Sequence, residues 1–205
     1  EKKIYNSETD MTIKTEEEEK KGILVEAEAG VSLAKLAKVL AKEGLTGFEC
    51  ESGIPGTLGG AVVMNAGAYD GEMKQVVRTV TLIDEAGEEL ILSCDEMEFG
   101  YRTSILKRKS YIVTEVLFSL TKGAGKEIED KMKELARRRM EKQPLEYSSA
   151  GSTFKRPYGN FAGKLIGEAG LSGFAIGGAK VSEKHNGFVI NTGDATALQI
   201  RDLIK

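Results

Sequence analysis

Residues that build metal sites and disulfide frameworks are scarce in this sequence. Its 205 residues include no tryptophan, three prolines, two cysteines and a single histidine, His185. Zinc and non-haem iron sites built on several imidazoles are excluded, because they need two or three histidines, and we expect no metal. Cys50 and Cys94 lie outside any C-x-x-C spacing, which favours free thiols in a reducing compartment.

An excess of basic charge and a long apolar run are missing as well. The 29 basic residues are balanced by 32 acidic ones, so the positive field that nucleic-acid binding uses is absent. The longest apolar run, near residues 61–64, is too short to cross a bilayer, and no N-terminal signal pattern is visible. The composition therefore predicts a cytoplasmic protein without nucleic-acid or membrane partners, and it leaves the oligomeric state open.

Hydrophobic periodicity predicts a sheet and a helix in the first part of the chain. Apolar and polar residues alternate at 11–14 and 25–29, which is typical of half-buried strands, and the EEEEKK run at 16–21 predicts a solvated turn. Ser32 is placed to cap a helix that ends at Gly44. Residues 76–83 and 88–92 form a predicted hairpin, and 111–120 a further strand.

A second domain is predicted after Gly123 and Gly125. An apolar stripe on a charged background predicts a long helix that ends before Pro144. Further expected elements are a short helix at 160–169, strands at 175–181 and 188–191, and a last helix from about residue 195. The mixture of helices and strands indicates an α+β protein with domains at 1–122 and 123–205.

Glycine is abundant: 24 of the 205 residues are glycine, about 12% of the chain, against a usual share of roughly 7%. Eight glycines lie between Gly44 and Gly71, too many to predict a regular core element there, and ten lie between Gly151 and Gly193. Within residues 53–72 the glycines permit positive φ, and the amides leading into a helix start can cradle a flat or anionic group such as a flavin or nucleotide. The segment matches neither a Walker loop nor G-x-G-x-x-G, and a closely packed turn is an equal alternative.

Four further groups of residues are candidates for chemistry, each with an ordinary alternative. Ser152 and Lys155 have the S-x-x-K spacing, but the same spacing recurs at Ser32 and at Ser104, so a plain loop serine is favoured. Arg102 can grip a carboxylate or stabilise a developing enolate, although a surface ion pair is commoner. Four cations near the end of the long helix can meet a diphosphate, although a solvated face is favoured; they are Arg137, Arg138, Arg139 and Lys142. His185 can contact a ligand, although a structural role is favoured.

Four long stretches, taken together and in order, resemble one family closely. They are GIPGTLGGAVVMNAGAYDGE (53–72), YRTSILK (101–107), QPLEYSSAGSTFKRPYGNFAGKLIGEAGL (143–171) and GGAKVSEKHNGFVIN (177–191). From about residue 23 to 205 the chain is similar to the UDP-N-acetylenolpyruvoylglucosamine reductases, the MurB flavoenzymes of peptidoglycan synthesis, and resembles their type II branch. The resemblance implies the second half of a VAO/PCMH-type FAD-binding module, followed by a MurB C-terminal-like α+β substrate domain.

The resemblance also implies a two-step reaction. NADPH reduces FAD, and the reduced flavin delivers hydride to C3 of the enolpyruvyl group of UDP-N-acetylglucosamine enolpyruvate. In the family pattern Ser152 is the proton donor and Arg102 stabilises the enolate. The residues expected to contact substrate are Tyr101, Lys142, Arg156 and His185, and those expected to contact FAD are Gly53, Ile54, Pro55, Gly56, Thr57, Gly59, Gly60, Ala61, Asn65 and Gly67.

The sequence departs from the family pattern at three places. A strand and loop that bind the FAD pyrophosphate would precede Glu1, a glutamate that assists the enolate would follow Lys205, and Arg156 stands where some members have asparagine. We therefore expect a fragment truncated at both ends. Two alternatives remain: a noncatalytic remnant that binds a UDP-sugar without flavin, and a serine acyl-transfer enzyme built on Ser152 and Lys155.

Overall fold

The computed structural model describes residues 2–6, 9–14 and 22–205 of the chain. The chain divides into two compact units, Glu1–Ala136 and Arg137–Lys205. The boundary between the units, after Ala136, falls inside a helix. The domains expected from the sequence, 1–122 and 123–205, stay a prediction. The acidic turn predicted at 16–21 lies outside the described residues. Among the described residues no helix is both long and apolar enough to cross a membrane.

The first unit is built on an antiparallel sheet. Its strand order is β1-β2-β3-β9-β7-β8, and β4 also pairs with β9. A separate two-stranded ribbon joins β5 to β6. The elements are β1 (Lys2–Asn6), β2 (Thr9–Lys14), β3 (Ile23–Glu28), α1 (Leu33–Lys42), β4 (Leu45–Thr46), α2 (Leu58–Met64), β5 (Gly67–Ala68), β6 (Gly71–Glu72), β7 (Val77–Ile83), β8 (Glu89–Ser93), β9 (Ile112–Lys122) and α3 (Gly125–Lys142), which continues into the second unit.

The core of the first unit lies between one face of this sheet and helices α1 and α2. Val25, Val80 and Phe118 are fully buried at the centre of the sheet, and the rings of Phe48 and Phe118 stack with centroids 5.6 Å apart. The predicted hairpin and strands are confirmed by the pairing of β7 with β8 and by the strands β2, β3 and β9. Along β3, β7 and β9, buried side chains recur on the face that packs against the core. Helix α1 is confirmed too, and Gly44 follows its end with φ +67°.

Two local predictions for the first unit are wrong. Ser32 stands at the N-cap of α1, but its side chain makes no capping hydrogen bond; its backbone instead forms a β-bridge with Thr57. Residues 44–71, for which the sequence predicts no regular core element, do contain one, since α2 buries Leu58, Ala61 and Val62. Burial of these apolar side chains offsets the low helix propensity of glycine.

The second unit has a four-stranded antiparallel sheet with the order β10-β13-β12-β11. Its small core contains Ala179, Val181, Phe188 and Ile190. The strand predicted at 175–181 is instead two strands, because Gly177 has φ +56° and the chain reverses there. The elements are β10 (Ser148–Ser152), α4 (Ala162–Glu168), β11 (Ala175–Ile176), β12 (Ala179–Val181), β13 (Phe188–Asn191) and α5 (Ala197–Ile204).

Both cysteines are free thiols, as the sequence predicts. Cys50 Sγ donates to the Tyr69 carbonyl at 3.8 Å and Cys94 Sγ to the Lys74 carbonyl at 3.4 Å. Burial raises the pKa of each thiol above its ordinary value. The neutral, weakly nucleophilic thiol therefore predominates at neutral pH.

Glu49 is a buried carboxylate of the first unit that pairs with a lysine of α3. Its side chain is 2% exposed; it accepts hydrogen bonds from Thr46 Oγ1 at 2.5 Å and from the Gly47 amide at 3.1 Å, and it pairs with Lys131 Nζ at 3.3 Å. Burial alone raises the pKa of Glu49, but the hydrogen bonds and the Lys131 charge together lower it below its ordinary value of 4.5. The ionised form therefore stabilises the folded state.

We expect Glu49→Gln to lower the free energy of unfolding at pH 7 by about 1–3 kcal/mol, because it weakens charge-assisted hydrogen bonds to a buried group. The folded pKa lies below the unfolded one, so this contribution is present above about pH 4.5 and is lost as the pH falls through the folded pKa. Urea unfolding at pH 7 and pH 4 measures the difference. Glu96→Gln is the control, since Glu96 also accepts hydrogen bonds from Ser93 but is exposed. A pH-independent loss would contradict the prediction.

Candidate functional site

Residues 53–72, called the glycine block below, include a loop that leads into α2 at Thr57. The Oγ1 of Thr57 accepts a hydrogen bond from the Gly60 amide at 3.4 Å. The Leu58 amide donates to the Val31 carbonyl at 2.9 Å, and the Gly59 amide to the Ala29 carbonyl at 2.9 Å. The amides of the first turn of α2 are therefore bonded within the protein. These three amides are not available to an anion, and the cradle expected from the sequence stays a prediction for the turn that precedes α2.

The glycines of this block have two different roles. Gly59 is buried, and a Cβ there would lie 2.9 Å from the Ala29 Cβ, so close packing requires glycine at this position. Gly56 and Gly60 are exposed; a Cβ at Gly56 would meet no atom within 4 Å, and one at Gly60 only Thr57 Oγ1 at 3.6 Å. The outer side of the block is thus open backbone that a flat ring can approach. Of the residues expected to contact FAD, the exposed or half-buried ones are Gly53, Ile54, Pro55, Gly56, Thr57 and Gly60, and the buried ones are Gly59, Ala61, Asn65 and Gly67.

Arg102 is presented by a tight turn. Gly100 and Thr103 exchange both backbone hydrogen bonds, at 3.1 and 3.2 Å, and Arg102 between them has φ +53°. A positive φ is uncommon for a residue other than glycine and is found disproportionately at functional sites. Tyr101 in the same turn is 53% exposed, and Arg102 Cζ lies 5.3 Å from the centroid of its ring.

The guanidinium of Arg102 is held by backbone carbonyls of the glycine block. Nη2 donates to the Gly67 carbonyl at 2.5 Å and Nη1 is 3.5 Å from the Asn65 carbonyl. The structure therefore brings together four predicted site residues, Asn65, Gly67, Tyr101 and Arg102. These contacts are with neutral oxygens, so they are not the surface ion pair considered as an alternative, and they leave guanidinium N–H groups and the positive charge for a ligand.

In the second unit Ser152 lies beside Gly187 at the end of β10. Ser152 is paired with Phe188 of β13, and the neighbouring Thr153 amide donates to the Gly187 carbonyl at 2.8 Å. A Cβ at Gly187 would lie 3.3 Å from Ser152 Oγ and 2.9 Å from His185 Cε1, so both side chains border this glycine. Ser152 is exposed, whereas its backbone is fixed by the sheet.

His185 is oriented by its own loop. Its Nδ1 accepts a hydrogen bond from the Gly187 amide at 3.1 Å, which assigns the proton of the neutral ring to Nε2. Its ring packs edge-on against Phe188 with centroids 4.8 Å apart. The structural role favoured from the sequence is therefore present, and the ring can still offer Nε2–H to a ligand.

The other two predicted substrate contacts, Arg156 and Lys142, are exposed. Arg156 Cζ lies 4.4 Å from the centroid of the Phe161 ring, and Lys142 is exposed at the end of α3. Lys155 is exposed and makes no hydrogen bond to Ser152 within the described part of the chain, which gives the acyl-transfer alternative no support. Among residues 22–205 no group of three or more His, Cys, Asp or Glu side chains is arranged to hold a metal ion.

Sequence reasoning missed two residues that shape the Arg102 turn. Glu72 accepts a hydrogen bond from Asn65 Nδ2 at 2.5 Å, and Ser104, fully buried, donates to the Val63 carbonyl at 2.8 Å. Glu72 ends the glycine motif, but its contact with Asn65 depends on the β5–β6 ribbon. Ser104 was visible only as a repeat of the S-x-x-K spacing, which carries little information.

Two family models match successive parts of the chain. The model described as an FAD binding domain matches residues 9–93, and the model of the UDP-N-acetylenolpyruvoylglucosamine reductase C-terminal domain matches residues 143–205. The first match includes the glycine block and α2. The second includes Ser152, Arg156 and His185. The α+β fold with an FAD-binding module before a reductase C-terminal domain is thus confirmed.

Similar proteins carry the same description. UDP-N-acetylenolpyruvoylglucosamine reductase of Caldanaerobacter subterraneus is 60% identical over 184 residues, 90% of this chain and 61% of that protein. The reductase of Lachnoclostridium phytofermentans is 55% identical over 89% of this chain and 59% of its own length. The crystal structure of the reductase (MurB) from Thermus caldophilus matches with a TM-score of 0.79 and 40% identity, over 86% of this chain and 65% of that one.

The chain thus spans about three fifths of the length of the relatives it matches. Both family models occur in the order that the sequence motifs predict, and the fold agrees with that of a solved reductase. On these grounds the chain belongs to the family of the UDP-N-acetylenolpyruvoylglucosamine reductases.

Proposed function

We propose that the protein containing this chain reduces UDP-N-acetylglucosamine enolpyruvate to UDP-N-acetylmuramate, with FAD as cofactor and NADPH as electron donor. The observation that carries the proposal is the Arg102 guanidinium, held by the Gly67 and Asn65 carbonyls in the unit that matches the FAD-binding model. A cation oriented by neutral oxygens keeps its charge for a ligand. An enolpyruvyl group, which carries a carboxylate, is a fitting ligand.

The residues of the glycine block fit a flavin. The open backbone at Gly56 and Gly60 has no side chain in the way of a flat ring, and Gly53, Ile54 and Pro55 continue the same exposed loop. The buried members of the block, such as Gly59, hold this backbone against β3. FAD, when bound, supplies hydride chemistry, taking hydride from NADPH and passing it to C3 of the enolpyruvyl group.

Arg102 and Ser152 complete the reduction of the double bond. Hydride addition at C3 leaves negative charge at C2 that extends into the adjacent carboxylate, and the Arg102 guanidinium stabilises this charge. Ser152 Oγ donates the proton to C2, so the product gains one hydride and one proton. A serine hydroxyl is a weak acid, so such a donor must be well positioned. The pairing of β10 with β13 holds the backbone of Ser152 beside Gly187, which supports this positioning.

The remaining predicted residues bind and orient the UDP-sugar. Tyr101 presents an exposed ring in the Arg102 turn, His185 offers Nε2–H, and Lys142 and Arg156 supply charge for a diphosphate or carboxylate. The product is a precursor of peptidoglycan, so the protein would serve cell-wall biogenesis, cell shape and cell division from the cytoplasm. Its partners are small molecules, with no nucleic acid or membrane.

The proposal is tested on the full-length protein. We expect it to bind FAD and to oxidise NADPH over repeated turnovers when UDP-N-acetylglucosamine enolpyruvate is present, giving a product heavier by two hydrogen atoms. Gly60→Leu should abolish the flavin absorbance of the purified protein, because the side chain fills the open backbone of α2, whereas Gly60→Ala should retain it. Both variants favour the helix over glycine, so they separate blockage from misfolding.

Two results would contradict the proposal. A full-length protein that refuses added FAD would favour the noncatalytic alternative that binds only a UDP-sugar. Full FAD binding by Gly60→Leu would show that the flavin does not lie against Gly60. Flavin absorbance at equilibrium with added FAD and mass spectrometry of the product measure these outcomes.

A further inference from the structure

We propose that Asn65 is a positioning residue, which acts on the reaction through Arg102 and not by a side-chain contact with the cofactor. The inference rests on the proposed role of Arg102. It replaces the family-based expectation that Asn65 contributes to binding FAD.

The Asn65 side chain is fully buried and committed to the protein. Nδ2 donates one hydrogen bond to Glu72 Oε2 at 2.5 Å and another to the Gly100 carbonyl at 3.1 Å. Oδ1 accepts a hydrogen bond from the Lys74 amide at 2.9 Å. An asparagine amide has two N–H donors, and both are used here, so none remains for a ligand.

These bonds lead to Arg102 by two routes. Gly100, held by Nδ2, is the first residue of the turn that presents Arg102. The Arg102 side chain also contacts Asn65, because its guanidinium bonds the Asn65 and Gly67 carbonyls. Asn65 therefore contacts the start of the turn with its side chain and the charged end of Arg102 with its backbone. Both the backbone and the guanidinium of Arg102 are located relative to this one residue.

Asparagine suits the position for a second reason. Asn65 ends α2 in the left-handed conformation, with φ 42° and ψ 55°, which few residues other than glycine and asparagine adopt readily. Glycine would permit the backbone but would lack the amide. Aspartate would keep the shape, but its carboxylate would face that of Glu72 and it would donate to neither Glu72 nor the Gly100 carbonyl.

Glu72 strengthens the arrangement with charge. One of its oxygens accepts from Asn65 Nδ2, and the other lies 3.0 Å from Lys74 Nζ. The Lys74 amide in turn donates to Asn65 Oδ1. Charge-assisted hydrogen bonds of this kind are shorter and stronger than neutral ones. The three residues form a closed network that fixes the rotamer of Asn65.

The test uses Asn65→Ala and Asn65→Asp in the full-length protein loaded with FAD. We expect the transfer from reduced flavin to the UDP-sugar to slow about 10²-fold, the loss typical of a catalytic group misplaced by about 1 Å. Reduction of the flavin by NADPH and the amount of FAD bound should not change. Val80→Ala, which removes buried methyl groups from β7, is the control for lost stability and should alter neither step.

A double-mutant cycle with Arg102→Ala separates positioning from general damage. If Asn65 acts through Arg102, Asn65→Ala should have no further effect on the rate once Arg102 is alanine. Additive effects in the cycle would overturn the inference while leaving the role of Arg102 intact. An unaltered rate in Arg102→Ala alone would instead overturn the proposed function on which the inference rests.

A measurement without turnover complements the cycle. ¹⁵N relaxation of the Arg102 side chain should show restricted motion in the wild-type protein and greater motion in Asn65→Asp. If the alanine variant does not fold, Glu72→Gln serves in its place; it keeps the shape but loses the charge, so a smaller rate loss that is likewise absent in the Arg102→Ala background is expected. Unchanged Arg102 mobility in Asn65→Asp would overturn the inference.

Discussion

Replacing Ser152 by alanine in the full-length protein is expected to slow the reduction of the UDP-sugar by about 10²–10⁴-fold, the range lost with a positioned proton donor. The reduction of bound flavin by NADPH should remain at the wild-type rate. The reason is that Ser152, in the proposed mechanism, supplies a proton to C2 of the substrate and takes no part in hydride transfer between NADPH and flavin. Stopped-flow absorbance of the flavin follows each step separately.

Ser148→Ala is the matched control for this experiment. Ser148 lies on the same strand, β10, is also exposed, and is paired with Asn191 as Ser152 is with Phe188. Its removal should change neither step. Equal slowing of both steps by Ser152→Ala would remove the proton-donor role, and equal effects of the two serine variants would point to a general disturbance of β10.

The second large effect is expected at Arg102. Arg102→Ala should slow the step that reduces the substrate about 10²–10³-fold, because in the proposed mechanism the enolate loses a preorganised positive charge. Arg102→Lys should recover only part of the rate, since an ammonium cannot bond two carbonyls and a substrate carboxylate in the planar geometry of a guanidinium. The dissociation constant of the UDP-sugar, measured by quenching or calorimetry, should rise less than the rate falls.

Arg108→Ala is the control for the loss of charge near this turn. Arg108 lies six residues after Arg102 and forms an exposed ion pair with Glu98. Exposed pairs contribute little, so the variant should behave as the wild type. A similar loss of rate in Arg108→Ala would show that the effect at Arg102 reflects the overall charge of the surface and not its held guanidinium.

Much of the fold was predictable because its signals are local. The alternation in β7 and β8 and the Gly87 turn, with φ +86°, specify a hairpin from adjacent residues. The spacing of Leu33, Leu36 and Leu40 likewise specifies α1. The antiparallel pairing of β3 with β9 was not predictable from such patterns, because it joins residues about 90 positions apart.

The glycine block shows where local signals fail. Glycine-rich composition argues against a helix, yet α2 forms because Thr57 caps it, Gly59 fits against Ala29, and Leu58 and Val62 are buried in the core. Each of these contacts except the cap comes from a part of the chain distant in sequence. Intrinsic propensity is a weak preference that tertiary packing overrides.

The sequence by itself determined the family, the order of the two domains and the identity of Ser152 and Arg102 as the residues to test, because motif residues are read without coordinates. Only the tertiary structure decided how Arg102 is held and what Asn65 does. The bonds from Asn65 to Glu72, Lys74 and Gly100 span 7 to 35 positions. They exist only after α2, the β5–β6 ribbon and the Arg102 turn have packed together, and this is the physical reason that no local pattern reveals them.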